Sequence, residues 1–228
     1  MTLMALTLHG APLSPFVRKV MYLLALSKTK YKLKIVVPGS MPDDFVSISP
    51  LKRIPVLQDD HWCQADSSIV CNYLIETLDH DDLTPLVPTN AQSRAHMRWL
   101  EKFADYELAP WLTFMVFQQR VLKVAAGKVA DEKRIQEALS VHIPPLLDYL
   151  ASQLGSKDYF VDNCLSLADV AITSQMISFM HGGERIDAAT WPTLAAYFER
   201  MLAQPIWHSL VTREQVTLSK IGIPRATH

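Results

Sequence analysis

Ser14 and Pro15 form the first pair in this chain with the makings of a chemical site. Serine is a favoured helix N-cap, and proline is tolerated at the first helical position because its missing N–H would have no partner there anyway. A helix is therefore predicted to begin at Pro15, gathering unpaired N–H groups and about half a positive charge beside the Ser14 hydroxyl. An anion placed there is stabilised, and a thiol held there ionises more readily to its reactive thiolate form. The Ser14 hydroxyl can donate a hydrogen bond to such a sulfur without itself attacking. The simpler alternative is that Ser14 only caps its own helix.

Asp66-Ser67 offers a second place of the same kind. The pair precedes an apolar helical pattern, and helix N–H groups together with the Ser67 hydroxyl suit a carboxylate. Asp66 can accept from an ammonium group, or both residues can be plain helix caps. Arg53 is either a cation near these positions or a solvated surface charge. Pro55 reads as the proline that opens an edge strand.

These residues need elements to position them. Met4 to His9 reads as a buried strand ended by Gly10, Ala11 and Pro12. Val17, Val20, Met21, Leu24 and Ala25 recur at helical spacing, with Arg18, Lys19 and Lys28 pointing elsewhere. Lys32 to Val37 predicts a second strand parallel to the first, completing a βαβ unit. Pro55 to Gln58 and Trp62 to Ala65 predict an antiparallel hairpin, and a helix over Ser67 to Leu78 places Ile69, Val70, Tyr73 and Leu74 on one face. The alternating Lys28, Lys30, Lys32 and Lys34 suit a solvated strand edge. His80 to Asn90, with Pro85 and Pro88, reads as a linker.

Everything after the linker reads as helical. One long helix is expected from Ala91 to about Ala126, kinked at Pro110, and a second from Asp131 to Leu154, disturbed at Pro144-Pro145. Further helices are expected at about 166 to 180, 191 to 203 and 205 to 219. Ser166-Leu167-Ala168-Asp169 has the form of a capping box and reads as a folding determinant. Most of the stripe Trp111, Phe114, Met115, Phe117 and Gln118 reads as core.

Composition removes several function classes. The 228 residues are 49% hydrophobic and 20% charged, which is globular rather than disordered. A formal net charge of -1 supplies no long-range field for polyanions, which argues against nucleic acid or an anionic membrane as partner. The three cysteines, Cys63, Cys71 and Cys164, contain no CxxC and cannot pair completely, so a reducing, cytoplasmic setting is expected. The first residues lack the basic n-region of a signal peptide, and no apolar run reaches the ~18 residues of a membrane helix. No HExxH or paired Cys/His spacing supports a metal, and neither a P-loop, a GxGxxG nor a GxSxG is present.

Four patterns in order give the chain a family resemblance: Ser14-Pro15-Phe16, Arg53-Ile54-Pro55-Val56-Leu57, Ala65-Asp66-Ser67 and Ser166-Leu167-Ala168-Asp169. With the strand and helix order they resemble the glutathione transferase superfamily over nearly the whole chain, and most closely its bacterial, serine-type members. The resemblance implies an α/β thioredoxin-like domain (βαβ-ββα, residues 1–79), a linker (80–90) and an all-helical bundle domain (91–228).

The resemblance further implies a cis bond before Pro55 and glutathione held as co-substrate across Ser14, Arg53, Ile54, Pro55, Asp66 and Ser67. The cysteinyl unit of glutathione would pair alongside Ile54 as an added strand. Ser14 would stabilise the thiolate, and Leu13, Trp111, Phe114, Met115 and Gln118 would wall an apolar electrophile pocket. Serine where redox members carry cysteine points to thiol addition or substitution. The family more often has Glu or Gln at the Asp66 position, and some classes have a lysine where this chain reads Ser40-Met41-Pro42-Asp43-Asp44. No metal is implied, and a C2 homodimer is. The rival readings are a non-catalytic binding or scaffold protein of the same fold and a glutathione-dependent isomerase or dehalogenase, whose Ser-Ser-Cys run this chain lacks.

Overall fold

The structure, a computed structural model, describes residues 6–78 and 80–223. These divide into two compact units, with the division after Thr84. In the first, β1 (Leu6–Gly10), α1 (Pro15–Leu26) and β2 (Tyr31–Ile35) form the expected βαβ unit, β2 lying parallel to β1. β3 (Val56–Asp59) runs antiparallel to β1, and β4 (Trp62–Ala65) antiparallel to β3, before α2 (Ser67–Thr77). The sheet order is β2-β1-β3-β4, a thioredoxin-like arrangement. Met4 and Ala5, which the sequence assigns to the first strand, lie outside the described residues.

Alternation along β1 decides what covers each face of the sheet. Leu6 and Leu8 are fully buried, and a Cβ added at Gly10 would come within 2.5 Å of the Val17 side chain, so this row faces α1. The opposite row holds His9, whose ring centroid lies 6.3 Å from that of Phe45. Phe45 sits in a 3₁₀ turn, Asp43–Ser47, and clusters with Val36 and Val56. Lys32 and Lys34 are exposed on the edge strand β2.

Helical spacing misjudged part of α1. Arg18 and Lys19, expected to point away from the core, are fully buried, whereas Ala25 is exposed. Buried cations persist when they are hydrogen-bonded. The Arg18 guanidinium donates to Leu13 O at 3.4 Å, and Lys19 Nζ donates to Ser68 Oγ at 3.2 Å, tying α1 to α2. On α2, Ile69 is 52% exposed rather than core.

In the second unit, α3 (Ala91–Phe103) continues into Ala104–Lys123, a helical stretch of wider, π-type turns that contains Pro110. α4 (Glu132–Glu137), a π-type turn at Ala138–His142 and α5 (Ile143–Leu154) follow. Pro144-Pro145, expected to disturb one long helix, instead occupy the first turn of α5, where absent N–H groups are tolerated. α6 (Leu167–His181) is buried along its whole length, as a central helix must be. α7 (Pro192–Ala203) and α8 (Pro205–Lys220) complete the unit.

Asp169 anchors the start of α6. Its carboxylate accepts from Ser166 N at 2.9 Å, Ser166 Oγ at 2.8 Å, Phe160 N at 3.1 Å and the Tyr197 hydroxyl at 3.2 Å. Burial nevertheless pushes its pKa up to about 6, against the opposing pull of these hydrogen bonds. At the other end of α6, His181 Nε2 meets Glu214 Oε2 of α8 at 2.8 Å, both side chains being buried. No helix among the described residues is long and apolar enough to cross a membrane.

Candidate active site

Sheet register brings three separate segments to one end of the first unit. His9 near the end of β1 pairs with Val56 at the start of β3, and Val56 pairs with Ala65 at the end of β4. Ser14 follows β1, Ile54-Pro55 immediately precede β3 and Asp66-Ser67 immediately follow β4, so all three emerge at the same sheet end. The N-termini of α1 and α2 open there too.

Ser14 has extended backbone (φ −75°, ψ 125°) and caps α1 with Pro15 in the first turn. Its turn is closed by Ser14 N donating to Ala11 O at 3.0 Å. The hydroxyl oxygen accepts from Val17 N at a long 3.4 Å, a role that uses a lone pair and leaves the O–H able to donate. The side chain is half-buried.

The Ile54–Pro55 peptide bond is cis, and Ile54 takes no part in the strand ladder, which starts at Val56. Ahead of it, fully buried Ser49 fastens the loop: its hydroxyl donates to Arg53 O at 2.7 Å and accepts from Arg53 N at 3.0 Å. The Arg53 side chain is exposed. Ser49 was not singled out from the sequence, although Ser49-Pro50 is a turn-initiating pair that points to it.

Asp66 is the N-cap of α2, its Oδ1 accepting from Ser68 N at 2.9 Å and Ile69 N at 3.2 Å. Its backbone lies at φ 81°, ψ 120°, a region that L residues rarely occupy and that costs on the order of 1–3 kcal/mol. Such strain concentrates where a side chain must be held in one place. Ser67 and Ser68 behind it are buried, and the ammonium group of Lys19 at Ser68 Oγ adds positive charge next to the α2 N-terminus. Nothing in the local pattern of α1 signals that role for Lys19.

The residues expected to line an apolar pocket are distributed over both units. Leu13, in the first, is buried. In the second, the Trp111 ring stacks on His142 with centroids 3.9 Å apart and planes 9° from parallel. Phe114 is 50% exposed, Gln118 is exposed and Met115 half-buried, so of the stripe read as core only Phe117 is. With Phe114 and Gln118 exposed, this is a surface face on which Trp111 stacks against His142.

Among the described residues no group of three or more His, Cys, Asp or Glu could hold a metal ion. Cys71 is buried and Cys164 exposed, while burial pushes the Cys63 thiol up. None of the three occupies the α1 N-terminus, where the residue is Ser14.

Comparison with known proteins matches a domain family in each unit. Residues 8–80 match the glutathione S-transferase N-terminal domain family, and residues 117–206 the glutathione S-transferase C-terminal domain family. FtsZ-localized protein A of Caulobacter vibrioides is 26% identical over 175 residues, 75% of each chain. A probable glutathione S-transferase of Glycine max is 24% identical over 206 residues, covering 87% of this chain and 84% of that one. Among solved structures, a glutathione transferase homolog from Drosophila mojavensis with bound glutathione superposes with a TM-score of 0.77 at 24% identity, covering 97% and 98% of the two chains. With a domain family matched in each unit, in the expected order and on a shared fold, the chain belongs to the glutathione S-transferase superfamily.

Proposed function

We propose that this protein is a glutathione transferase that ionises the thiol of glutathione and presents the thiolate to a hydrophobic electrophile. The observation that supports this most is the convergence of Ser14, cis-Pro55 and Asp66-Ser67 at one sheet end, with two helix N-termini opening beside them. Glutathione lies extended along Ile54, its sulfur at the α1 N-terminus with the Ser14 hydroxyl donating to it. Its γ-glutamyl carboxylate meets Ser67 and the α2 N–H groups, Asp66 accepts from its ammonium group, and Arg53 faces its glycine end.

The thiol proton leaves to solvent and the sulfur lone pair forms a new C–S bond. In substitution a leaving group departs with its electron pair; in addition the electrons move onto the acceptor and are then protonated. Phe114 and Gln118, exposed on the second unit, and half-buried Met115 are the side chains assigned to the electrophile. A C2 homodimer belongs to the same proposal, and light scattering tests it. A screen of electrophiles with glutathione, following conjugate formation, tests the activity; no turnover with any class would count against it.

A second reading is a binding or scaffold protein without catalysis. It is supported by FtsZ-localized protein A, a relative named for where it is found and not for a reaction. Calorimetry with glutathione separates the two, because absence of binding at millimolar ligand favours the scaffold.

A further inference from the structure

The start of α2 is less favourable to a second anion than a bare helix N-terminus. Asp66 Oδ1 accepts from Ser68 N at 2.9 Å and from Ile69 N at 3.2 Å, so two of the first-turn amides are already engaged by a carboxylate. That carboxylate also offsets the roughly half positive charge that the helix end offers. Among the described residues no hydrogen bond is made by the N–H or the hydroxyl of the neighbouring Ser67. These two donors suit a ligand carboxylate in number and kind, but neutral donors next to a fixed anion leave its charge unmatched.

Lys19 provides the missing sign. It comes from α1, is fully buried, and its Nζ donates to Ser68 Oγ at 3.2 Å. An ammonium group has donors only, so Ser68 is the acceptor, and the bond holds the cation against the residue next to Ser67. A charge shielded from water and salt acts more strongly on its neighbours than one on the surface. Arg53, by contrast, is exposed. The γ-glutamyl end of glutathione carries one carboxylate and one ammonium group, and Lys19 and Asp66 set one charge of each sign at the same helix end.

We infer that Lys19 makes this end of the site selective for the γ-glutamyl carboxylate. It is a positioning residue, acting through Ser68 and through its charge without touching the ligand. The inference rests on the glutathione reading above and deepens it.

The test is calorimetry on the full chain with two peptides: glutathione, and γ-aminobutyryl-cysteinyl-glycine, which keeps the ammonium group and lacks only the γ-glutamyl carboxylate. Lys19→Met keeps the reach of the side chain without its charge. Glutathione affinity should fall by about tenfold or more, as loss of a nearby opposite charge implies, while that of the analogue changes by less than about twofold. KM for glutathione should rise with kcat nearly unchanged, because the sulfur sits at the other helix. A merely structural role would lower the affinity for both peptides and kcat together. Ser68→Ala, a smaller change, should narrow the preference for glutathione over the analogue by a lesser factor, and it decides the matter if Lys19→Met does not fold. Equal losses for the two peptides, or an unchanged preference, overturn the inference and leave the transferase reading in place. No binding of either peptide by the wild type overturns that reading, and the inference with it.

Discussion

The Ser49 hydroxyl holds both backbone groups of Arg53, donating to its carbonyl at 2.7 Å and accepting from its N–H at 3.0 Å. A side chain with no exposure thus sets the path of the chain just before Ile54-Pro55. Ser49→Ala leaves both groups without their partner and should cost about 1–3 kcal/mol of stability. If the loop positions glutathione, KM for glutathione rises while kcat changes little, and Ser49→Thr restores part of the loss. Melting curves and steady-state kinetics on the three proteins check this.

Asp66 combines a structural role with a proposed one, and substitutions separate them. Asp66→Asn keeps an oxygen for the Ser68 and Ile69 amides and tolerates positive φ, so stability should stay within about 0.5 kcal/mol. It removes the negative charge proposed to face the ligand's ammonium group, so glutathione binding should weaken. Asp66→Ala loses the cap and keeps the strained backbone, costing about 1 kcal/mol or more. Calorimetry showing equal glutathione affinity for wild type and Asp66→Asn would assign Asp66 to capping alone.

Asp169 gives a pH signature that belongs to folding, not catalysis. Its pKa rises from 3.8 to about 6 on folding, so the folded state holds the proton more tightly. Stability from this group is fully present below pH 3.8 and is lost as pH rises through about 6, a change of about 3 kcal/mol at ~1.4 kcal/mol per tenfold change in proton affinity. Asp169→Asn lacks that component. The stability difference, wild type minus variant, should therefore shrink between pH 4 and 6 in denaturant titrations; a difference that grows would reverse the assignment.

Ser14→Ala removes the proposed thiolate donor and also the α1 cap acceptor for Val17 N, at a cost of about 0.5–2 kcal/mol of stability. Glutathione binding should persist while conjugation falls by the ~10² to 10³-fold typical of losing one preorganised donor to a developing anion. Paired calorimetry and turnover measurements check this.

What the sequence made legible is local. Ser14-Pro15, Asp66-Ser67 and Ser166 to Asp169 are caps, and a cap is written in three or four adjacent residues. The succession of strands and helices in the chain followed from periodicity and turn residues, down to the hairpin of β3 and β4, although the one helix expected from Asp131 to Leu154 is two. The parts that were hidden depend on what packs from elsewhere. Spacing cannot show that Lys19 reaches Ser68 on another helix, and so it sends Arg18 and Lys19 to solvent. It cannot show that Trp111 stacks on His142 or that Phe114 is half exposed, because both fit one helical stripe. Alternation makes His9 one of a strand's side chains, but cannot show that its ring meets the Gln58 side chain at 3.0 Å and lies 6.3 Å from the Phe45 ring.

The most direct measurement is the ionisation of the glutathione thiol when bound, followed by thiolate absorbance against pH, in wild type and Ser14→Ala. The bound thiol should ionise well below free glutathione in the wild type, with its pKa moving up by about 1 to 2 in the variant, as loss of one hydrogen bond to an anion implies. The same titration midpoint in both proteins would contradict the role of Ser14.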